Sequence, residues 1–231
     1  MVSFLYCILG TIPYARGLKL QRRLVEEVLR RELPGVLLLL EHYPVVTLGR
    51  GAKREHLLLP KEEFQKRGIE VYEVERGGDV TYHGPGQIVG YPIVNLRFWH
   101  KDVHAFLRAL EEVLIRFLGS FGVEAFRFPP YTGVWVNHKG LRKIAAIGVA
   151  VKQWVTYHGF ALNIAPDLTP FRYIIPCGIP DFGVTSLAEV LGRDFPREER
   201  VAMQCLLAER FGEVFGFCMK EDEGEYVTSL D

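Results

Sequence analysis

The order of short apolar runs and longer helical stretches constrains the fold of this chain more than any other feature of the sequence. Apolar residues recur at helical spacing over 18–33, 104–121 and 196–211. Shorter apolar or alternating runs, typical of strands, occupy 4–9, 36–40, 45–48, 70–75, 87–96, 133–136, 143–152 and 155–164. Because strands follow one another without a helix after each, we predict an α+β fold with a mixed or antiparallel sheet rather than a doubly wound parallel sheet.

Turn residues mark several of the boundaries between these elements. Pro60 opens a short helix that Gly68 closes. The turn over 137–140 predicts a hairpin between the strands on either side of it. We predict a single catalytic domain over 1–219 and expect the acidic segment 220–231 to fray.

Composition places the chain among ordinary globular proteins and sets aside several classes of function. It has 231 residues, of which 48% are hydrophobic and 24% charged. Lys plus Arg and Asp plus Glu both total 28, so the basic excess typical of nucleic-acid binding is absent. No apolar run reaches the roughly 18 residues of a membrane span, and residues 1–10 lack the basic residues of a signal peptide. We therefore expect a cytoplasmic protein that binds neither nucleic acid nor membrane.

Cysteine usage singles out one residue. The four cysteines are Cys7, Cys177, Cys205 and Cys218. No CxxC pair is present, so we expect no metal site and no redox dithiol. Three of the cysteines stand among apolar residues and are predicted to be small buried hydrophobes. Cys177 differs because Pro176 and Gly178 place it in an irregular turn, where a free thiol is available as a nucleophile.

The segment 76–87 contains four glycines and one proline, which suit neither a helix nor a strand. We predict an irregular loop over 76–86, whose backbone N–H groups can approach a ligand closely. Its spacing matches neither the dinucleotide nor the P-loop fingerprint. From the residues alone, a plain surface loop and a ligand-binding loop both remain open.

Lys143 opens an apolar strand over 143–151. An amine that faces inward loses hydration and can accept a proton near neutral pH. From the residues alone, a lysine at the strand edge that extends to solvent is the favoured interpretation. Cys177 and Lys143 would make a nucleophile–base pair if they met, but their separation in sequence does not establish contact.

Several segments together resemble one known family. The segments 41–49, 76–87, 131–136, 143–148, 157–164 and 176–179 occur in the order and spacing of the lipoyl(octanoyl) transferases, and the resemblance covers most of the chain. These enzymes move an octanoyl group from acyl carrier protein to lipoyl domains. The resemblance implies the fold shared by biotin and lipoate protein ligases, in which helices flank a mixed sheet.

The resemblance also implies a site, partners and a chemistry. Cys177 would attack the octanoyl thioester and carry the acyl group, and Lys143 would accept and return the proton. Backbone N–H groups near Gly78, or at Cys177 and Gly178, are candidates for stabilising the tetrahedral intermediate. The implied substrate-binding residues are Arg76, Gly77, Gly78, Asp79, Val80, Thr81, Tyr82, His83, Ala146, Ile147, Gly148, His158, Gly159, Phe160 and Ala161. No cofactor or metal is implied, the donor would be octanoyl-acyl carrier protein, and the acceptors would be lipoyl domains of 2-oxoacid dehydrogenases and the H protein of glycine cleavage.

Alternative interpretations remain open at this point. An ATP-dependent lipoate ligase of the same fold is the main one, since 49–54 faintly resembles the nucleotide loop of a ligase. A non-catalytic binding module and a thioesterase are the others. His83 either orients Lys143 or the substrate, or closes its own loop. The basic cluster of Arg50, Lys53 and Arg54 is either a solvated loop or a docking surface for an acidic acyl carrier protein.

Overall fold

Two sheets and six helices make up the computed structural model, which describes residues 2–222 and 225–228. The strands are β1 (Val2–Ile12), β2 (Gly35–His42), β3 (Val45–Leu48), β4 (Glu70–Glu73), β5 (Val80–His83), β6 (Gln87–Val94), β7 (Ala125–Phe128), β8 (Tyr131–Asn137), β9 (Leu141–Lys152), β10 (Val155–Asn163), β11 (Gly183–Val184) and β12 (Phe217–Glu221). The helices are α1 (Tyr14–Arg31), α2 (Lys61–Lys66), α3 (Val103–Gly119), α4 (Leu187–Leu191), α5 (Arg197–Phe215) and α6 (Glu225–Thr228). No helix in the described part of the chain combines the length and hydrophobicity needed to cross a bilayer.

The larger sheet is mixed and has the strand order β12-β1-β2-β6-β10-β9-β8-β7, with β11 added beside β9. β1 runs parallel to β2 and β12, and β11 runs parallel to β9. From β2 to β7 the neighbouring strands are antiparallel. The smaller sheet has the order β4-β3-β5. The predicted α+β architecture with a mixed sheet is confirmed.

Helices cover both faces of the larger sheet, as β2 shows. Leu37 and Leu39 pack in the cluster that contains α3 and α5, whereas Leu38 and Leu40 pack in the cluster that contains α1. The alternation arises because successive strand residues point to opposite faces. All eight residues of β2 are buried, which explains why this part of the sequence reads as a continuous apolar run.

The three long helices lie where apolar spacing predicted them, although their ends differ. α3 begins at Val103 because the Asp102 side chain accepts hydrogen bonds from the N–H groups of His104 and Ala105. α5 continues past the predicted end to Phe215, where Gly216 adopts a left-handed conformation (φ 73°) and terminates it. Local capping, rather than the apolar period, sets these boundaries.

Four strands differ from the sequence prediction. The predicted loop over 76–86 is wrong at β5, where Val80–His83 pair antiparallel with β3 and all four residues are buried. Pairing and burial outweigh the low strand propensity of the flanking glycines. β7, β11 and β12 were not predicted either, because each is short and gains its order from a neighbouring strand.

The predicted fraying of 220–231 is wrong for part of that segment. Lys220 and Glu221 continue β12 and pair with β1, and the Asp222 N–H donates to Tyr6 O (2.7 Å). Val227, on α6, is buried against the α1 side of the sheet. A parallel strand partner and an apolar contact therefore order these residues despite their charge. Residues 223–224 and 229–231 of the segment lie outside the described residues.

Candidate active site

A cavity of about 250 Å³ lies where β5, β9, β10 and the turn at Cys177 meet. Both predicted catalytic residues, Cys177 and Lys143, line it. So do twelve of the predicted substrate-binding residues, namely Arg76, Gly78, Asp79, Thr81, His83, Ala146, Ile147, Gly148, His158, Gly159, Phe160 and Ala161. Segments that are far apart in the sequence thus form one wall.

Three predicted substrate-binding residues do not line this cavity. Val80 and Tyr82 belong to an apolar cluster on the other side of β5, because alternate residues of a strand face opposite ways. Gly77 is held within the main chain, where its N–H donates to Val149 O (2.9 Å) and its carbonyl accepts from Arg76 Nη1 (3.1 Å). Gly77 therefore anchors the glycine-rich segment to β9 rather than facing a ligand.

Cys177 occupies a short 3-10 turn, Pro176–Gly178, with a left-handed backbone (φ 57°, ψ 16°). For a residue with a side chain this conformation costs about 1–2 kcal/mol. Such strain persists where the surroundings impose it, commonly at functional sites. The Gly178 N–H donates to Ile175 O (3.0 Å), so it is not available to stabilise an oxyanion, and the N–H groups of Gly78 and Cys177 remain the candidate donors.

The chain that leaves this turn returns to the strand that carries Lys143. β11 lies parallel to β9, with Gly183 opposite Arg142 and Val184 opposite Lys143. The next residue, Thr185, donates its N–H to Lys143 O (3.0 Å). This pairing explains how two residues 34 positions apart, Lys143 and Cys177, come to share one cavity.

Lys143 is buried and points inward. Its side chain is part of a residue only 6% exposed, and Nζ donates to Thr132 O (3.1 Å). The prediction that Lys143 extends to solvent is therefore wrong. Within the described residues no carboxylate pairs with this amine. Its contacts are a carbonyl and an aromatic ring, which leave it free to exchange a proton with a neighbour in the cavity.

Arg76 is a second buried cation on the wall. Its Nη2 donates to Thr47 O (2.7 Å) and Thr47 Oγ1 (2.9 Å), and Nη1 donates to Gly77 O. All of these acceptors are neutral, and in the described part of the chain no carboxylate forms an ion pair with it. Burial lowers the pKa of Arg76. Arg76 thus brings a positive charge to the wall without a direct ion pair to any described carboxylate, in a cavity that the acidic side chain of Asp79 also lines.

The two histidines of the wall are uncharged at neutral pH. Burial lowers the pKa of His83 to about 3 and that of His158 to about 4. His83 Nδ1–H donates to Gln87 Oε1 (2.8 Å), and its Nε2 lies 3.4 Å from Thr47 Oγ1. These partners favour the loop-closing role of His83 over contact with Lys143. His158 has a left-handed backbone (φ 55°). Among the described residues its buried Nε2 has no hydrogen-bond partner, and Glu75 Oε2 lies 3.9 Å from it.

A buried hydrogen-bond chain links His83 to the main chain of Lys143. Gln87 Nε2 donates to Asn163 Oδ1 (2.8 Å), and Asn163 Nδ2 donates to Thr185 O (3.0 Å). Because linked buried hydrogen bonds strengthen one another, this chain stiffens the wall. Sequence analysis assigned no role to Gln87, Asn163 or Thr185.

Other cavity residues were also missed. They are Tyr14, Val89, Tyr91, Pro130, Tyr131, Thr132 and Ile179. Tyr131 and Thr132 immediately precede the Gly-Val-Trp stretch, which was a usable signal. Tyr14 and Tyr91 lie on α1 and β6, and no sequence signal marked them, because only the packing of these elements brings them to the cavity.

Comparison with known proteins identifies the class. A family model described as the lipoyl protein ligase A/B catalytic domain matches residues 13–208. The chain belongs to this lipoyl protein ligase A/B family. It is 48% identical over 227 residues to an octanoyltransferase of Caldicellulosiruptor saccharolyticus, covering 96% of this chain and 94% of that protein. An octanoyltransferase of Solibacter usitatus is 52% identical over 180 residues, covering 78% of this chain and 80% of that protein.

Two solved ligase structures have the same fold. A bipartite lipoate protein ligase from Thermoplasma acidophilum superposes with a TM-score of 0.73 at 18% identity, covering 100% of this chain and 91% of that chain. A biotin protein ligase from Aquifex aeolicus gives a TM-score of 0.51 at 14% identity, covering 94% and 70%. At these identities the likeness shows the fold alone, and the predicted biotin/lipoate ligase-like fold is confirmed.

Proposed function

We propose that this chain is an octanoyltransferase that carries the acyl group as a thioester on Cys177 and passes it to a lysine of a lipoyl domain. The observation that carries the proposal is the shared cavity of Cys177 and Lys143, with the thiol on a strained turn and the amine buried without a carboxylate. The similarity to proteins named octanoyltransferase supports the same reaction.

The first half-reaction loads the enzyme. Lys143 takes the proton from the Cys177 thiol, and the sulfur attacks the carbonyl carbon of the donor thioester. The tetrahedral intermediate collapses with cleavage of the bond to the donor sulfur, which leaves as a thiol with the proton from Lys143. One thioester replaces another, so this step is nearly neutral in free energy and needs no ATP.

The second half-reaction transfers the acyl group from the enzyme to the acceptor. The amine of the target lysine attacks the carbonyl carbon of the acyl-enzyme, and Lys143 accepts a proton from that nitrogen. The bond from carbon to the Cys177 sulfur then breaks, and Lys143 returns the proton to that sulfur, which regenerates the thiol. An amide replaces a thioester, which makes the transfer favourable. The Arg76 guanidinium supplies a fixed positive charge beside both tetrahedral intermediates, and neutral His83 and His158 do not compete for the proton.

The apolar part of the wall suits an acyl tail. Val89, Ile147, Phe160 and Ala161 line the cavity. At about 0.8 kcal/mol per CH₂, a tail of about seven carbons contributes about 5 kcal/mol to binding. One methylene more or less changes binding by only about 1–3 kcal/mol, so neighbouring chain lengths are accepted less efficiently rather than excluded.

The donor in this proposal is octanoyl-acyl carrier protein, and the acceptors are lipoyl domains. The exposed basic cluster, Arg50, Lys53 and Arg54, adjoins the glycine-rich segment, since Arg50 N–H donates to Arg76 O (3.0 Å). An acidic carrier docked there would present its thioester close to the cavity. Charge reversal of the cluster raises the KM for the carrier and spares kcat; an unchanged KM contradicts this docking site.

An ATP-dependent ligase is the second candidate, because two solved structures with this fold are ligases. Intact-protein mass spectrometry separates the two functions when octanoyl thioester is added without ATP to wild type and to Cys177→Ser. We expect an octanoyl adduct on wild type alone, discharged by a lipoyl domain. Acylation of the domain only with ATP and free acid would instead establish a ligase.

The same measurement tests the remaining alternatives. An adduct that disappears in water as fast as with a lipoyl domain would indicate a thioesterase. Binding of the donor without any adduct would indicate a binding module.

A further inference from the structure

His56 and Asp79 form a partly buried pair behind the turn that carries Cys177. His56 Nδ1–H donates to Asp79 Oδ2 (2.6 Å), and the two side chains are 13% and 12% exposed. The other carboxylate oxygen, Oδ1, accepts the Val80 N–H (2.7 Å) at the start of β5. The pair therefore connects a loop residue to the edge of the smaller sheet.

The pair contacts the turn directly at Gly178. A Cβ placed on Gly178 would lie 2.6 Å from Asp79 Oδ2 and 3.1 Å from His56 Cε1. Real Cβ atoms are not found that close to a carboxylate oxygen, so the side-chain pair fits against the bare Cα of Gly178. The residue next to Cys177 is thereby held in place by His56 and Asp79.

The main chain around His56 is bound to the segment that leads into the turn. Ile175 N–H donates to His56 O (2.9 Å), and Leu58 N–H donates to Tyr173 O (3.0 Å). Leu57 and Ile174 form an antiparallel bridge between these hydrogen bonds. The turn is thus fixed on its entry side by backbone pairing and at Gly178 by the His56–Asp79 pair.

We propose that His56 and Asp79 are positioning residues, which hold Cys177 in its left-handed conformation with the thiol at the cavity. This inference rests on the proposed role of Cys177 as the acyl carrier. His56 does not line the cavity that Cys177 and Lys143 share, so it acts through the turn and not as the base. Without the pair, the turn relaxes toward a backbone conformation of lower energy, and the sulfur moves away from the position from which it attacks the thioester carbonyl.

The experiment measures single-turnover formation of the octanoyl-enzyme from octanoyl-N-acetylcysteamine, a small thioester that needs no carrier docking. His56→Leu removes the hydrogen bond, and Asp79→Asn leaves a single side-chain oxygen for the two donors, His56 Nδ1–H and Val80 N–H. His56→Asn keeps an N–H donor near the position of Nδ1. Glu55→Gln is the matched control, because it changes the exposed residue next to His56. Melting temperature is recorded for each variant.

We expect His56→Leu and Asp79→Asn to slow acylation about tenfold to hundredfold, the effect of misplacing a reactive group by about 1 Å. His56→Asn recovers most of the rate, and the double variant is no slower than the worse single one, since both remove the same contact. Binding of the thioester by His56→Leu, measured by calorimetry in a Cys177→Ser background, stays unchanged, because His56 does not line the cavity. This split between rate and affinity is not expected of a residue that only stabilises the fold.

Acylation at the wild-type rate by folded His56→Leu and Asp79→Asn would overturn the proposal. Weakened thioester binding by His56→Leu in the Cys177→Ser background would also overturn it, because His56 would then shape the cavity and not the turn. If His56→Leu does not fold, Asp79→Asn and His56→Asn decide the matter. Failure of wild type itself to form an adduct would instead contradict the function proposed for Cys177.

Discussion

Lys143 Nζ lies 4.9 Å from the centre of the Trp135 ring. The two residues are register partners on β8 and β9, so pairing of these strands places the ring over the amine. A cation over an indole ring is stabilised by roughly 0.5–2 kcal/mol. The ring therefore helps to hold the amine inside the cavity that Lys143 shares with Cys177.

Lys143→Arg separates the charge of this residue from its ability to accept a proton. Arginine keeps the positive charge but does not lose its proton in proteins. We expect formation of the octanoyl-enzyme to slow by at least about 100-fold, the contribution of a positioned base. Rapid-quench mass spectrometry checks this, with the melting temperature as the folding control. An arginine variant that acylates normally would show that Lys143 acts only through its charge.

Gly148→Ala is predicted to displace the glycine-rich segment. A Cβ at Gly148 would lie 2.7 Å from Gly77 O and 3.3 Å from Arg76 Cδ. Gly77 is hydrogen-bonded to β9 and its neighbour Arg76 to β3, so neither can move away from the added methyl group without losing hydrogen bonds. We expect weaker binding of the octanoyl thioester, measured by calorimetry on a Cys177→Ser background.

Gly119→Ala is the matched control for this substitution. Gly119 ends α3, and a Cβ there would have no heavy atom within 4 Å. Alanine should stabilise the helix by up to about 1 kcal/mol and leave thioester binding unchanged. Equal binding by Gly148→Ala and wild type would show that the cavity tolerates movement of Arg76.

The buried histidines predict loss of stability in mild acid. Burial lowers the pKa of His42 to about 4 from its ordinary value of about 6.5. The unfolded chain then binds more protons than the folded one between these values, so stability is full above about pH 6.5 and falls as the pH drops toward 4. His83 and His158 act in the same direction.

Guanidinium unfolding at several pH values measures this effect. His42 Nδ1–H donates to Ile12 O (2.9 Å), and its Nε2 accepts from Tyr91 O–H (2.6 Å). His42→Gln should lower stability at neutral pH and flatten its decline between pH 6.5 and 4, since one titrating group is gone. An identical slope in the variant and wild type would assign the acid sensitivity to other groups.

Glu111 is predicted to support the strand that faces Lys143. Its side chain is fully buried, pairs with Arg108 (2.6 Å) and Arg127 (3.1 Å), and accepts the Gly133 N–H (3.0 Å). Glu111→Ala should cost about 1–3 kcal/mol, because it leaves the buried Gly133 N–H without an acceptor, whereas Arg108 and Arg127 are 48% and 34% exposed and can be solvated. Glu112→Ala, which removes a 32% exposed carboxylate on the same helix, should cost less than about 1 kcal/mol. Similar losses of unfolding free energy in both variants would contradict a special role for Glu111.

Local sequence patterns were sufficient to predict the main helices and strands of this protein. The helices over 104–121 and 196–211 and the strands 36–40 and 87–96 follow from the apolar period, which depends only on residues close in the chain. The resemblance of the glycine-rich segment, the Lys143 strand and the Cys177 turn to one family also required only their order and spacing.

Tertiary structure decided how those segments act together. β5 formed inside a predicted loop because β3 supplied a strand partner. Side chains of β5 alternate between its two faces, so Val80 and Tyr82 point away from the cavity. Lys143 is buried rather than solvated because β8 places Trp135 and Thr132 over it. The sequence by itself therefore determined the main elements and a set of candidate site residues, most of which line one cavity. Burial, strand register and the contact of His56 and Asp79 with the Cys177 turn depend on residues far apart in the chain, so only the folded structure decided them.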